Sequence, residues 1–212
     1  YDITPIRLTT NAGDVTFGVT SGSTILVVTD ASHGAIVGDF VTYSGAVSLG
    51  GAVTATVLNK EYQVITVSTD NTYEVTLTVT ANSSDTGDGG AAVIGEYQIN
   101  TGPAAAQALT GWGAGFWGGG AWGQSTSSAQ ALRIWHQTNF GEDLIFGPSG
   151  GALYYWDAST TPNTRGALVS TLPGASDVPV VQRFVLSSDI YRFTFCFGAN
   201  NIGQANLDAM LV

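Results

Sequence analysis

Apolar and polar residues alternate along much of the first hundred residues. In the segment 72–79, Tyr73 and every second residue after it are apolar, whereas the residues between them are threonine or glutamate. A period of two places the apolar side chains on one face of a β-strand. Similar runs, rich in Val, Ile, Thr, Tyr and Phe, are separated by turn residues, and the segment 83–90 also reads as a turn. We predict strands over 14–19, 24–29, 39–44, 52–58, 62–68, 72–79 and 91–98.

The remainder of the chain also has the pattern of strands, arranged as short hairpins. We predict a strand over 130–137, a hairpin from 144–146 and 152–157, and a second hairpin from 182–187 and 191–198. Hairpins that recur after about 40 residues are typical of propeller blades. The predicted fold is all-β: an inserted small antiparallel β-barrel or sandwich, plus a β-hairpin frame that resembles propeller blades.

A glycine- and tryptophan-rich stretch lies between these two patterns, at 111–123. Trp112, Trp117 and Trp122 recur every five residues, which is the period of neither a strand nor a helix. Glycines permit tight bends, and tryptophans anchor to an apolar neighbour or stack on a ligand. We predict a folded-back loop whose tryptophans are buried as anchors; exposure as sugar-stacking platforms is the alternative.

Charge and aromatic content change near residue 100. Residues 1–100 carry ten acidic and two basic side chains, whereas 101–212 carry six acidic side chains, four arginines and all five tryptophans. We predict two domains: a frame of 1–10 and 101–212, and an inserted module of 11–100.

The composition excludes several classes of function. Six Lys and Arg residues against sixteen Asp and Glu residues cannot neutralise many phosphates, so tight binding to DNA or to an anionic membrane is not expected. No run of 18 apolar residues predicts a membrane-spanning helix. A single cysteine, Cys196, excludes an intrachain disulfide framework and a multi-cysteine zinc site.

Candidate catalytic groups do not form a recognisable constellation. The Gly-Pro-Ser-Gly-Gly sequence at 147–151 has the letters of a nucleophile elbow, but a strand follows it, and His33 and His136 both precede it. We interpret it as a hairpin turn. The adjacent acids Glu142 and Asp143 would point apart on a strand, unlike the paired carboxylates of a glycosidase. We predict no catalytic residue, no metal site, no cofactor and no small-molecule substrate.

The arginines of the second half favour structural roles, because guanidinium groups form geometrically specific pairs with carboxylates and aromatic rings. We expect Arg133, Arg165, Arg183 and Arg192 to pair with acids such as Asp143, Asp157 and Asp189. The predicted structural or interface residues are Trp112, Trp117, Trp122, Trp156, Arg133 and Arg183.

Several stretches resemble structural proteins of the tails of short-tailed bacteriophages. They are 1–7, 111–118, 139–144 together with 151–157, 172–179 and 207–212. In that family the last of these continues beyond the point where this chain ends, so we expect the chain to be part of a longer polypeptide. The segments 32–34, 37–45, 61–64 and 71–73 are similar to a small β module that phage tail and fibre proteins insert, and that also occurs in ubiquitin-activating enzymes.

The resemblance implies a virion structural protein without enzymatic activity, in the tail tube, nozzle or hub. Such proteins form rings, assembled in the bacterial cytoplasm, through which the genome passes. The expected partners are copies of the chain itself and other virion proteins, and an acidic lumen would let DNA slide without sticking. A carbohydrate- or receptor-binding β module of a tail or fibre is the alternative, and a linear polymer of identical subunits is another.

Overall fold

The computed structural model of the protein describes residues 2–102, 133–201 and 204. The chain divides into two compact units. We call Ile6–Asn100 the central unit, and Tyr1–Pro5 together with Thr101–Val212 the flanking unit. The regular elements of both are almost all antiparallel strands, so the predicted all-β class is confirmed. Among the described residues, no helix is long and apolar enough to cross a membrane.

The central unit is a single antiparallel sheet with one short helical turn. Its elements are β1 (Ile6–Thr9), β2 (Thr16–Val19), β3 (Ile25–Thr29), β4 (Phe40–Ser44), α1 (Ala55–Leu58), β5 (Glu61–Thr69), β6 (Thr72–Thr76), β7 (Asp85–Asp88) and β8 (Ile94–Gln98). The strand order is β1-β8-β4-β5-β6-β3-β2-β7. This order is linear, and the described strands do not close into a barrel.

The core of the central unit follows the alternation seen in the sequence. In β3, Leu26 and Val28 are fully buried, whereas Val27 between them is 40% exposed. In β6, Tyr73 and Val75 point into the same core. Burial of these apolar side chains is the main force that holds the sheet together. The predicted strands at 14–19, 24–29, 39–44, 62–68, 72–79 and 91–98 are confirmed, with bounds that shift by up to three residues.

Two segments of the central unit differ from prediction. The segment 52–58, predicted as a strand, contains the helical turn α1, closed by the Asn59 N–H donating to the Ala55 carbonyl at 2.9 Å. The Asn59 side chain also bonds both backbone groups of Ala46, at 2.8 and 2.9 Å, and this pins the end of the turn. The segment 83–90, predicted as a turn, contains β7, because the outer edge of β2 offers backbone groups to pair with.

Strand β1 was assigned to the frame in the sequence analysis, but it pairs with β8 in the central unit. Ile6 lies opposite Gln98, and Thr9 lies opposite Glu96.

The flanking unit contains a four-stranded sheet and a separate hairpin. Its elements are β9 (Trp135–Phe140), β10 (Asp143–Pro148), β11 (Tyr154–Trp156), β12 (Ala167–Leu168), a 3₁₀ turn (Val169–Thr171), β13 (Phe184–Ser187) and β14 (Thr194–Phe197). The sheet order is β12-β11-β10-β9, and β13 pairs with β14. Both predicted hairpins are confirmed. The strand predicted over 130–137 begins at Trp135 and continues to Phe140, and 130–132 lie outside the described residues.

Candidate interaction surface

The hairpin β13–β14 has two faces of opposite character. Phe184 lies opposite Phe197 and Leu186 lies opposite Phe195, so these four side chains share one face. The other face is formed by two further cross-strand pairs. These are Val185 with Cys196, and Ser187 with Thr194.

The second of these faces packs against the four-stranded sheet. Val185 is 1% exposed and belongs to the small core that Ile145 and Leu153 form. The Ser187 N–H donates to the Thr138 hydroxyl oxygen of β9 at 3.0 Å. The hairpin is therefore fixed to the sheet through its inner face, and none of the described strands forms a layer above its outer face.

The outer face is aromatic and exposed. Its six side chains retain between 36% and 74% of their surface: Phe184, Leu186, Tyr191, Phe193, Phe195 and Phe197. We call this set the aromatic face. Taking about 200 Å² for each large side chain, it presents on the order of 600 Å² of apolar surface, the upper end of what monomeric proteins expose.

The tip of the hairpin extends this face. Tyr191 and Phe193 stack with their ring centroids 6.3 Å apart, and Ile190 beside them is 83% exposed. At the other end, the ring of His136 meets Phe184 edge-on at 4.9 Å. The rings are thus held in place by one another, and a partner would meet a surface that is already ordered.

Two arginines lie in the hairpin. Arg183 is exposed and directly precedes β13, and its backbone N–H donates to the Phe197 carbonyl at 3.0 Å. Arg192 has a positive φ of 54° at the tip, and its guanidinium lies 5.7 Å from the centre of the Phe140 ring. A side chain at Gly141 would lie 2.7 Å from that guanidinium, so the glycine leaves room for it. Arginine with aromatic residues is the composition of protein interfaces.

Asp143, an acid near this hairpin, already has partners in the fold. Asp143 accepts a hydrogen bond from the Tyr155 hydroxyl at 2.5 Å and another from the Ala158 N–H at 3.0 Å. These bonds, with the positive charge of Arg192, hold the pKa of Asp143 below its usual value. The same hydrogen bond to Asp143 is the main cause that raises the pKa of Tyr155 to about 12. Asp143 is therefore a structural acceptor, and a poor proton acceptor for chemistry.

The predicted arginine pairs are found in part. The charge of Arg192 contributes to the lowered pKa of Asp143, but the two are not among the described ion pairs. Arg165 forms its ion pair with Asp2, an acid that the prediction did not include. The reason is local: the adjacent Gly166 N–H donates to the Ile3 carbonyl at 3.0 Å, which brings the N-terminal residues alongside.

The predicted interface residues lie in different places. Trp112, Trp117 and Trp122 fall outside the described residues. Trp156 is half-buried in β11, where its indole N–H donates to the Thr164 carbonyl at 3.0 Å, and Arg133 is half-buried beside Gly102. Of the described members, only Arg183 borders the aromatic face.

The phenylalanines of the aromatic face were not recognised from the sequence as functional candidates. A signal was present, because Phe193, Phe195 and Phe197 alternate with Thr194 and Cys196. Alternation predicts that the larger apolar set faces the core. Here the smaller side chains face inward, since they fit against the sheet, and the rings face outward.

The remaining candidates for chemistry have structural roles. Ser149 lies in the turn between β10 and β11, where its N–H donates to the Ile134 carbonyl at 2.8 Å, so the predicted hairpin turn is confirmed. His33 is 1% exposed; its Nδ1 accepts from the Ala35 N–H at 2.9 Å, and its Nε2 lies 3.2 Å from the Thr69 carbonyl oxygen. Within the described part of the chain, no three His, Cys, Asp or Glu residues are grouped to hold a metal ion.

A chain of buried hydroxyl groups crosses the core of the central unit. The Tyr43 and Tyr73 oxygens are 2.6 Å apart, and those of Tyr73 and Tyr97 are 2.9 Å apart. The Tyr97 hydroxyl donates to Asp30 Oδ2 at 2.6 Å, and Asp30 itself is 4% exposed. Arg7 lies 5.1 Å from the centre of the Tyr97 ring. Each hydroxyl is satisfied by the next, and the three rings are at most 1% exposed, so this network stabilises the fold and has no access to a substrate.

This network predicts that the protein loses stability in alkali. Burial raises the pKa of Tyr73 to about 12, and it also raises the pKa values of Tyr43 and Tyr97. An unfolded tyrosine loses its proton near pH 10. Between about pH 10 and 12 the folded state therefore binds more protons than the unfolded state, and the free energy of unfolding falls as the pH rises. We expect Tyr73 alone to account for about 2–3 kcal/mol of this loss.

Denaturant melts between pH 9 and 12, with tyrosinate absorbance recorded alongside, measure this effect. Tyrosinate from the buried group should appear only as the central unit unfolds. Tyr191→Phe, which removes an exposed hydroxyl, is the matched control and should leave the pH dependence unchanged. Titration of all tyrosines near pH 10 in the folded protein would contradict the prediction.

Comparisons with known proteins find few similarities. The chain matches no protein-family model and no curated protein. Among solved structures, it is similar to the phage phi92 endosialidase with a TM-score of 0.37 and 16% sequence identity, over 88% of this chain and 27% of that one. The chain thus spans about a quarter of that protein's length. A TM-score this low does not establish a shared fold, and the activity in that protein's name is not carried over to this chain.

Proposed function

We propose that the protein is a non-enzymatic structural component of a bacteriophage tail, which assembles with copies of itself and with other virion proteins into a tube, nozzle or hub. The observation that carries this proposal is the aromatic face, which belongs to a hairpin packed on the sheet and exposes its rings in the part of the chain that the structure describes. The sequence resemblance of 139–144 and 151–157 to tail proteins supports the same conclusion.

The energetics of the aromatic face favour association. Burial of roughly 600 Å² of apolar surface contributes on the order of 15 kcal/mol before other terms. Lost translational and rotational freedom costs about 4–15 kcal/mol, so burial of this face is of the size needed to offset that cost. Repeated contacts between identical subunits close most often into cyclic rings.

The charge of the chain supports a role in which DNA passes without binding. A net charge of −10 with only six basic residues repels phosphate groups. Two of the described arginines lie beside acids that neutralise their charge. Arg7 lies 3.7 Å from Asp39, and Arg165 pairs with Asp2. DNA can pass passively only where the protein surface binds it weakly.

The proposal is tested by the state of association of the full chain. We expect light scattering to show oligomers and negative-stain images to show rings, since the aromatic face offers an apolar surface to a neighbouring subunit. Phe195→Ser should weaken association at least tenfold, while the melting temperature stays within a few degrees because the ring is 44% exposed.

Val47→Ser is the matched control. Val47 is 55% exposed in the central unit, so the substitution removes an exposed apolar side chain away from the hairpin and should leave association unchanged. A wild-type chain that is monomeric at high micromolar concentration would contradict the proposal.

A carbohydrate- or receptor-binding module is the second candidate, and the exposed stack of Tyr191 and Phe193 favours it. Aromatic rings of this kind bind the faces of sugars, as the predicted Trp112, Trp117 and Trp122 loop also would. A glycan array separates the two functions. Retained binding by Tyr191→Ala would exclude this stack as the glycan site, and binding to no glycan would leave assembly as the function of the aromatic face.

A further inference from the structure

Gly18 lies where the pairing of β2 with β7 is irregular, between Phe17 and Val19. It lies inside β2, its backbone does not adopt positive φ, and a Cβ atom added there would meet nothing within 4 Å. Glycine inside a strand often marks a bulge or a place where another chain can approach closely. Gly18 fits the irregular pairing with β7, and it also leaves open space on the outer face of β2.

A groove lies over Gly18 on that outer face. Gly18 is opposite Val27 of β3, and Val27 is opposite Glu74 of β6, so the three residues form one row across the sheet. The groove has a volume of about 470 Å³, and Ile25 also lines it. Ile25 and Val27 supply apolar side chains, Thr20 and Ser23 add hydroxyl groups, and Glu74 supplies a carboxylate at one end of the row.

The groove is matched in chemistry by the aromatic face. The groove lies in the half of the chain that has ten acids and two bases, whereas the hairpin carries the exposed cation Arg183 next to Phe184. Apolar rings fit an apolar floor, and a guanidinium pairs with a carboxylate in fixed geometry. Complementary charge next to complementary apolar surface identifies a partner more specifically than either feature alone.

We infer that the groove of the central unit receives the aromatic face of a second copy of this chain, with Arg183 of that copy paired to Glu74. This inference rests on the proposed function and names the surfaces that assemble. The contact is heterologous, because two different surfaces meet. Repetition of such a contact yields a ring when the rotation closes and a filament when it does not.

Gly18→Val in the full chain tests the receiving surface. Valine is a good strand residue and meets no atom there, so the melting temperature should stay the same or rise. The new side chain would fill the floor of the groove, and we expect at least a tenfold weaker association by sedimentation. Ser68→Val, on the exposed side of β5 and outside the groove, is the matched control and should associate like wild type.

A charge exchange tests the pairing. Glu74→Arg and Arg183→Glu should each weaken association at least tenfold, and the double variant should recover most of the loss. Association of wild type that survives Gly18→Val and Glu74→Arg would overturn this inference and leave the proposed function intact. A monomeric wild type would overturn both.

Discussion

Replacement of Tyr97 by phenylalanine is expected to lower the free energy of unfolding of the central unit by about 3 kcal/mol. The substitution removes the hydroxyl that donates to Asp30 at 2.6 Å and that also pairs with Tyr73 at 2.9 Å. Asp30, 4% exposed, would lose this donor inside the core. A buried carboxylate without its hydrogen bond carries an unrecovered desolvation penalty.

Urea melts of the two proteins, followed by circular dichroism, measure this loss. Tyr191→Phe serves as the control, because it removes the same atom from a residue that is 74% exposed, and it should change stability by less than about 0.5 kcal/mol. Equal effects of the two substitutions would show that the buried hydroxyl chain does not stabilise the fold.

Gly45→Ala is expected to destabilise the central unit by about 3–5 kcal/mol. Gly45 has a φ of 73°, which an L-residue adopts only with strain. A Cβ atom there would also lie 2.0 Å from the Ala92 carbonyl oxygen and 2.9 Å from its carbon, so the backbone of the neighbouring segment would have to move.

Gly22→Ala separates the cost of backbone strain from the cost of the steric clash. Gly22 has a similar φ of 82°, but nothing lies within 4 Å of a Cβ atom added there. It should cost only about 1–2 kcal/mol, the strain of the backbone alone. Thermal melts of both variants provide the comparison, and a Gly45→Ala variant no less stable than Gly22→Ala would refute the predicted backbone clash.

The strands of the core could be predicted because their signal is local. In β3 and β6, alternation of apolar and polar residues is enough to place Leu26 inside and Val27 outside. The helical turn α1 was not predictable in this way, since it depends on Asn59 bonding to Ala46, thirteen residues away. Strand β7 depends equally on a distant partner, the edge of β2. Residues that form contacts far along the chain leave no periodic trace.

The candidate surface, like the fold, could be predicted from the sequence only in part. Arg183 could be selected from the sequence, because cations are scarce and arginine favours specific contacts. The exposure of Phe195 could not be predicted from the sequence, because alternation identifies the two faces of a strand and does not say which of them the sheet covers. The choice is made by Ser187 and Val185, whose small side chains fit against β9 and the neighbouring core.

The inner face of the hairpin also provides a built-in reporter. Cys196 is the only cysteine in the sequence, and it lies half-buried opposite Val185. Burial raises the pKa of its thiol, which slows reaction with alkylating reagents while the hairpin stays in place. The alkylation rate of the unmodified protein therefore reports on the inner face of β13–β14: lifting of the hairpin from the sheet would speed labelling, and a subunit clamped by its neighbours would be labelled more slowly than a free one.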